Sequence, residues 1–240
     1  MRTSLTLLLS LLLFSWSACA QKVQPYLKME QLPNAVQFLP PPPMPGTPTY
    51  IQDTAMYFYA KKHLRTPERS RRAILEGTPD IDTMARMYSG AFGMELSAQK
   101  TPKTMHLLRR SVRTIRLGAT LPKKVHMRMR PFVYYGESTL MPEYEEHERK
   151  TGSYPSGHAI RGWGMALVLA ALNPERQDTL LRMGYEWGQS RVIAGYHWQS
   201  DVDASRFLAS ACFARLQTCQ EYLDDFEAAR EELRAIKDED

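Results

Sequence analysis

An all-α domain is what this sequence predicts, and three observations carry the prediction. From Tyr50 onward apolar residues recur at helical spacing, and the alternating β-branched pattern that marks strands is scarce. The chain is also long enough for one buried core, with 240 residues, 43% of them hydrophobic and 24% charged. Its 16 prolines and 13 glycines are scattered rather than periodic, and three cysteines are too few to staple a small fold. Collagen, coiled-coil, solenoid and disulfide-framework readings all fall away.

Residues 1–20 read as an export signal. Arg2 is the positive start, Leu5 to Phe14 the apolar centre, and Ala18-Cys19-Ala20 a small-residue cleavage site. The apolar run is shorter than the roughly 20 residues a spanning helix needs. Two processing routes stay open: cleavage after Ala20, which yields a periplasmic protein, or lipidation of Cys19 in Trp16-Ser17-Ala18-Cys19, which yields an outer-membrane lipoprotein. Residues 21–48 form a Pro-rich N-terminal arm laid over a single domain, 49–240, with polyproline II expected over 39–48.

Helical spacing then predicts helices over 51–64, 68–76, 80–88, 101–117, 157–172, 175–193, 197–217 and 219–236, with Asn173 and Pro174 as the cap and first residue of the sixth. No later segment is long enough to span a bilayer, the most apolar being Trp163 to Leu172. The last helix, acidic over 221–236, reads as a solvated amphipathic one.

Charge is distributed unevenly. The last twenty residues carry nine acidic and three basic groups, which leaves the body strongly basic. Between Glu95 and Glu137 there is no carboxylate, yet ten Lys or Arg: Lys100, Lys103, Arg109, Arg110, Arg113, Arg116, Lys123, Lys124, Arg128 and Arg130. Such a field attracts anions. With no nucleic-acid module and an export signal, the expected partner is a small phosphorylated molecule rather than nucleic acid. Most of the ten read as solvated helix faces, with two or three left for function.

Three segments carry chemistry. Lys123 and Arg130, seven residues apart, would share one side of a helix and could grip different oxygens of one anion. In Tyr154-Pro155-Ser156-Gly157-His158, the amides of Ser156, Gly157 and His158 would be unpaired donors where a helix begins, a ready anion site with the Ser156 hydroxyl beside it. An ordinary serine cap with an incidental histidine explains the same residues. In Ser190-Arg191 through His197 to Asp201, the last two are four apart, so on a helix Asp201 would fix the imidazole tautomer and leave the other nitrogen free to attack. A surface His-Asp pair is the plainer reading. His63, His106, His126 and His147 have no partner spacing and read as surface or packing residues.

Together the segments Lys123-x6-Arg130-Pro131, Pro155-Ser-Gly-His158 and Ser190-Arg191-x5-His197-x3-Asp201 resemble the tripartite signature of the type 2 phosphatidic acid phosphatase (PAP2) superfamily, and most closely the bacterial class A nonspecific acid phosphatases. Leu39-Pro-Pro-Pro-Pro43, Asp53-Thr-Ala-Met-Tyr57, Ser89-Gly-Ala-Phe-Gly93 and Gly195-Tyr-His-Trp-Gln-Ser-Asp-Val-Asp203 extend the likeness over about residues 25–235. The resemblance implies a compact helical bundle with the site at helix ends, and a phosphate monoesterase without a cofactor or metal. It implies catalytic roles for His197, His158 and Asp201, phosphate binding by Lys123, Arg130, Ser156, Gly157 and Arg191, and assembly as a homo-oligomer. Other readings of the same motifs are a vanadate-dependent haloperoxidase-like enzyme and a periplasmic phosphate-binding protein. Family members often carry cysteines where this chain has Leu140 and Ala194, so a bridge there is absent, and whether Cys212 and Cys219 pair is left open.

Overall fold

The computed structural model describes residues 23–239, so the expected export signal and Cys19 lie outside the described residues. Among the described residues all regular structure is helical. In chain order the α-helices are α1 (Ala35–Phe38), α2 (Pro48–Tyr59, continued by a π turn Ala60–Leu64), α3 (Pro67–Leu75), α4 (Ile81–Phe92), α5 (Pro102–Leu117) and α6 (Thr120–His126). They continue with α7 (Pro131–Tyr135), α8 (Glu145–Glu148), α9 (Gly157–Leu172), α10 (Gln177–Ala194), α11 (Gln199–Leu216) and α12 (Gln220–Glu239). No helix among the described residues is long and apolar enough to cross a membrane.

α9 is the axis around which the others pack. Its sequence is apolar almost all round, which suits a helix surrounded by protein. Met165, Val168 and Leu169 are fully buried in the main core, each worth about 1.5–3 kcal/mol. Two glycines set how closely its neighbours approach. A Cβ on Gly162 would lie 2.4 Å from Trp187 of α10, and one on Gly188 of α10 would lie 2.7 Å from Val202 of α11. Larger side chains at either position would drive these helices apart.

The arm is tied down between Tyr26 and Pro40. Tyr26, Leu27, Leu32, Ala35 and Leu39 enter the main core. The Tyr26 amide donates to Thr114 Oγ1 at 2.8 Å, its ring lies under the Arg110 guanidinium, and the Tyr154 hydroxyl donates to the Pro40 carbonyl at 2.7 Å. Pro48, expected to end the polyproline stretch, instead opens α2, because proline suits the first helical turn and Thr47 caps it.

Other expectations need correction. Asn173 does not cap a helix with its side chain. It terminates α9, its Nδ2 donates to the Phe92 carbonyl at 2.9 Å, and Pro174 opens a short 3-10 turn before α10. Nor is α12 merely solvated. Tyr222, Ala229 and Leu233 are buried, Glu232 accepts the Lys103 and Thr104 amides at the start of α5 (2.7 and 2.8 Å), and Asp225 binds the Tyr26 hydroxyl and Arg110. The acidic tail thus supplies to α5 the N-terminal carboxylate that its own sequence lacks. Cys212 and Cys219 are both free. Cys212 is buried against Gly118, and its thiol is pushed up to about 12 by burial. Leu140 and Ala194 do meet, with the Leu140 amide donating to the Ala194 carbonyl at 3.0 Å, so an apolar contact stands where the resemblance would have placed a bridge.

Candidate active site

A cavity of ≈370 Å³ opens where α9 begins and α10 ends, beside the last turn of α6. Lys123, Arg130, Gly157, His158, Arg191 and His197 all line it, although they span 75 positions of sequence. Ser156 and Asp201 stand behind this wall, fully buried.

The route by which Lys123 and Arg130 meet differs from the expected shared helix. α6 stops at His126, and Met127 turns left-handed at φ 40°, a conformation that costs a β-carbon-bearing residue about 1 kcal/mol. Arg130 then precedes α7, whose first residue is Pro131. Lys123 donates to the Gly152 carbonyl at 2.6 Å, and Arg130 donates to the Glu148 carbonyl at 2.9 Å and to Thr151 Oγ1 at 2.9 Å while pairing with the Glu148 carboxylate. Both cations are therefore held by the loop before α9, not by one helical face.

At the start of α9, Ser156 is the cap. Its hydroxyl oxygen accepts the Ala159 amide at 3.4 Å, and its own amide, expected to be unpaired, donates to the Asp201 carbonyl at 3.2 Å. The Gly157 and His158 amides occupy the first turn, where a helix offers no acceptor. His158 Nε2 lies 2.9 Å from the Gly77 carbonyl, so that nitrogen carries a proton and Nδ1 is left for chemistry. A Cβ on Gly77 would meet Met141 at 2.7 Å.

His197 and Asp201 are not surface neighbours on a helix. His197 precedes α11 and is 2% exposed, while Asp201 lies in the first turn of α11 and accepts the Trp198 amide at 2.9 Å. His197 Nδ1 is 3.3 Å from Asp201 Oδ2, and its Nε2 is 3.0 Å from an Arg130 nitrogen. A guanidinium can only donate, so Nε2 must accept, and Nδ1 carries the hydrogen directed at Asp201. The nitrogen facing the cavity cations therefore bears the lone pair.

Asp201 is fixed from behind by Arg128, whose nitrogens reach Asp201 Oδ1 at 2.6 Å and Asp53 Oδ2 at 2.7 Å, all three side chains being almost wholly buried. Asp53 in turn accepts the Ser200 amide at 2.8 Å and hydroxyl at 2.6 Å. Arg128→Met would leave two buried carboxylates without their cation. A loss of about 3–5 kcal/mol is expected, read as a drop in melting temperature of about 10 °C, and a loss under about 1 kcal/mol would contradict this assignment.

Electrostatics prepare the cavity for an anion. Five cations (Arg116, Lys123, Arg130, Arg161 and Arg191) face one carboxylate, Glu148. Burial, then Arg130 and Arg116, bring Lys123 down to about 7, and burial brings Arg191 to about 10. Burial first, then Arg130, Lys123 and Arg191, hold His197 well below the usual imidazole range; burial, Arg191 and Arg161 do the same to His158, against the Gly77 carbonyl. The unfolded chain binds protons at these groups more readily than the native one, so their own contribution to native stability rises with pH, for Lys123 between about 7 and its ordinary titration, and a bound anion would relieve the penalty. Arg191 Nε, buried without a partner, is one donor such an anion would satisfy.

Sequence reasoning missed several parts of this wall. His147, expected in a surface or packing role, lines the cavity, as do Glu148, Arg116 and Arg161. Arg116 belongs to the basic window, but no spacing links any of the four to the motifs.

The helical fold and this constellation define a class of protein, and the comparisons agree: the chain belongs to the PAP2 superfamily, whose family description matches residues 111–224. Over 215 residues it is 41% identical to the non-specific acid phosphatase of Salmonella typhimurium, covering 89% of this chain and 86% of that protein. The non-specific acid phosphatase of Providencia stuartii is 40% identical over 213 residues, with 88% and 86% covered. The acid phosphatase of Zymomonas mobilis is 33% identical over 223 residues, with 93% and 84% covered.

Proposed function

We propose that this acid phosphatase is an exported enzyme that hydrolyses phosphate monoesters through a phosphohistidine on His197, without a metal ion. The observation that carries the reading is the orientation of His197: Nδ1 on Asp201, Nε2 turned to a cavity walled by Lys123, Arg130 and Arg191, with His158 on the same wall.

The phosphoryl group enters among these cations, and the Gly157 and His158 amides with the Ser156 hydroxyl complete its cradle. Arg130 exchanges its contact with Nε2 for a phosphoryl oxygen. Nε2 then attacks phosphorus in line while Asp201 holds the proton on Nδ1. The bond to the leaving oxygen breaks as a protonated His158 delivers its Nδ1 proton there. His158, now neutral, takes a proton from the water that cleaves the phosphorus–nitrogen bond, so phosphate leaves and His197 returns to its first state. Fixed cations stabilise the equatorial oxygens as charge spreads, the work metal ions perform in other phosphoryl-transfer sites.

Activity should therefore persist in excess chelator and be inhibited by vanadate, which adopts the five-coordinate geometry of the transition state. Loss of activity in chelator, restored by a divalent ion, would contradict the mechanism. Export is supported by the pattern of residues 1–20. Mass spectrometry of the protein from the periplasm should find Gln21 as its first residue, and a diacylated Cys19 would replace that route with lipidation.

A further inference from the structure

Arg116, at the end of α5, and Arg161, in α9, line the cavity yet take no part in the proposed chemistry. Their situation is unlike that of the neighbouring arginines. Arg109 is held by Asp82, Arg110 by Glu221 and Asp225, Arg128 by Asp53 and Asp201, and Arg130 by Glu148. Arg116 and Arg161 have no ion pair among the described residues, and Arg116 Nε is buried without any hydrogen-bond partner.

Both line one cavity, and Arg116 is near enough for Arg161 to bear its charge. Arg161 is brought down to about 10 by burial first and Arg116 second, with only Glu148 opposing, and Glu148 is already engaged by Arg130 and Thr151. Arg116 is likewise lowered by burial against the pull of Glu148. Space has been kept for this arrangement. A Cβ on Gly157 would lie 2.7 Å from Arg116 Nε, so only glycine at the first position of α9 lets the guanidinium rest against the helix start. Both arginines also border the adjoining groove lined by Pro79, Asp80 and Asp82, where Asp82 is taken by Arg109 and Asp80 caps α4.

We propose that Arg116 and Arg161 form a second anion subsite beside the phosphoryl cradle, and that the favoured substrates are phosphomonoesters whose leaving group carries a second phosphate. The inference rests on the phosphatase reading above. Arg161 follows His158 by three residues, so it stands on the same face of α9 about 5 Å further along. His158 serves the leaving oxygen, which places Arg161 beside the departing group rather than the transferred one. Hydrolysis of a bisphosphate then releases inorganic phosphate and a monophosphorylated alcohol, with water supplying the new oxygen on phosphorus. Two guanidiniums facing one anion give charge-assisted, bidentate contacts, enough for a preference of about tenfold or more.

The test compares wild type with Arg161→Gln, Arg161→Lys and Arg116→Gln on fructose 1,6-bisphosphate, fructose 6-phosphate and 4-nitrophenyl phosphate. Wild type should favour the bisphosphate over the monophosphate by about tenfold in kcat/KM, chiefly through KM. Each Gln variant should erase that ratio, and Arg161→Lys should restore part of it. A wild type with no preference, or variants that lose the same factor on all three substrates, would overturn the subsite while hydrolysis of 4-nitrophenyl phosphate upheld the phosphatase reading. Calorimetry with α,ω-alkane bisphosphonates against their monophosphonates reads the subsite without turnover. Tighter bisphosphonate binding that Arg161→Gln abolishes supports it even in a protein that hydrolyses nothing, and equal binding of the two series overturns it.

Discussion

His197→Ala is expected to abolish turnover on every phosphomonoester, with a loss on the order of 10⁵–10⁶ in kcat, the scale on which removal of a nucleophile that acts with its base is felt elsewhere. The expectation comes from geometry. His197 Nε2 is the cavity nitrogen that must carry a lone pair, because its neighbour Arg130 can only donate. Burial and three cations keep the ring neutral into the acid range, so the lone pair survives at low pH. No choice of leaving group should rescue the variant, since no second path to a covalent intermediate is provided. Parallel assays on 4-nitrophenyl phosphate and a sugar phosphate check this, and retained activity on either would contradict it.

His158→Ala should behave differently. Its proton matters in the first step only as far as the leaving group needs one. A sugar alkoxide needs it badly, and a nitrophenolate hardly does. In kcat/KM, which reports the step that expels the leaving group, the variant should lose about 10²–10⁴ on alkyl phosphates and far less on 4-nitrophenyl phosphate. The same environment that suits His197 disfavours the protonated form of His158, which Arg191 and Arg161 repel. A bound dianion offsets that repulsion, and acid pH assists it. The rate of the wild type should therefore be bell-shaped with an acidic maximum whose limbs belong to the coupled pair of histidines. Equal losses on both substrates, or a rate climbing steadily into the alkaline range, would contradict the assignment.

Much of this was legible in the sequence, for physical reasons that also mark where legibility stopped. Helices α9 to α12 repeat apolar residues at helical spacing over three turns or more, so their existence was plain and only their ends shifted. The short α6, α7 and α8 have too few residues for a period to show. Met127 is why the geometry of Lys123 and Arg130 was misread: a methionine carries no turn signal, yet its left-handed backbone ends α6 and sends Arg130 back toward the cavity by another path. The bridge from Asp53 through Arg128 to Asp201 joins residues 148 positions apart at its ends, and nothing local announces it. His147 and Glu148 sit on a short helix in a segment rich in exposed charge, where any residue looks solvated until the loop before α9 folds over the site. Motif spacing, by contrast, marked His158, Arg191, His197 and Asp201, because helix starts and ends place them within a few residues of a turn.

The central claim is the phosphohistidine on His197, and His158→Ala offers the most direct measurement of it. With 4-nitrophenyl phosphate the variant forms the intermediate without needing the leaving-group proton, but lacks the base that activates water, so the intermediate should accumulate. An alkaline quench during turnover preserves the phosphorus–nitrogen bond, and mass spectrometry of the digest should place one phosphoryl group on the peptide containing His197. Phosphate on any other residue, or continued turnover with no covalent phosphate at any time, would contradict the account.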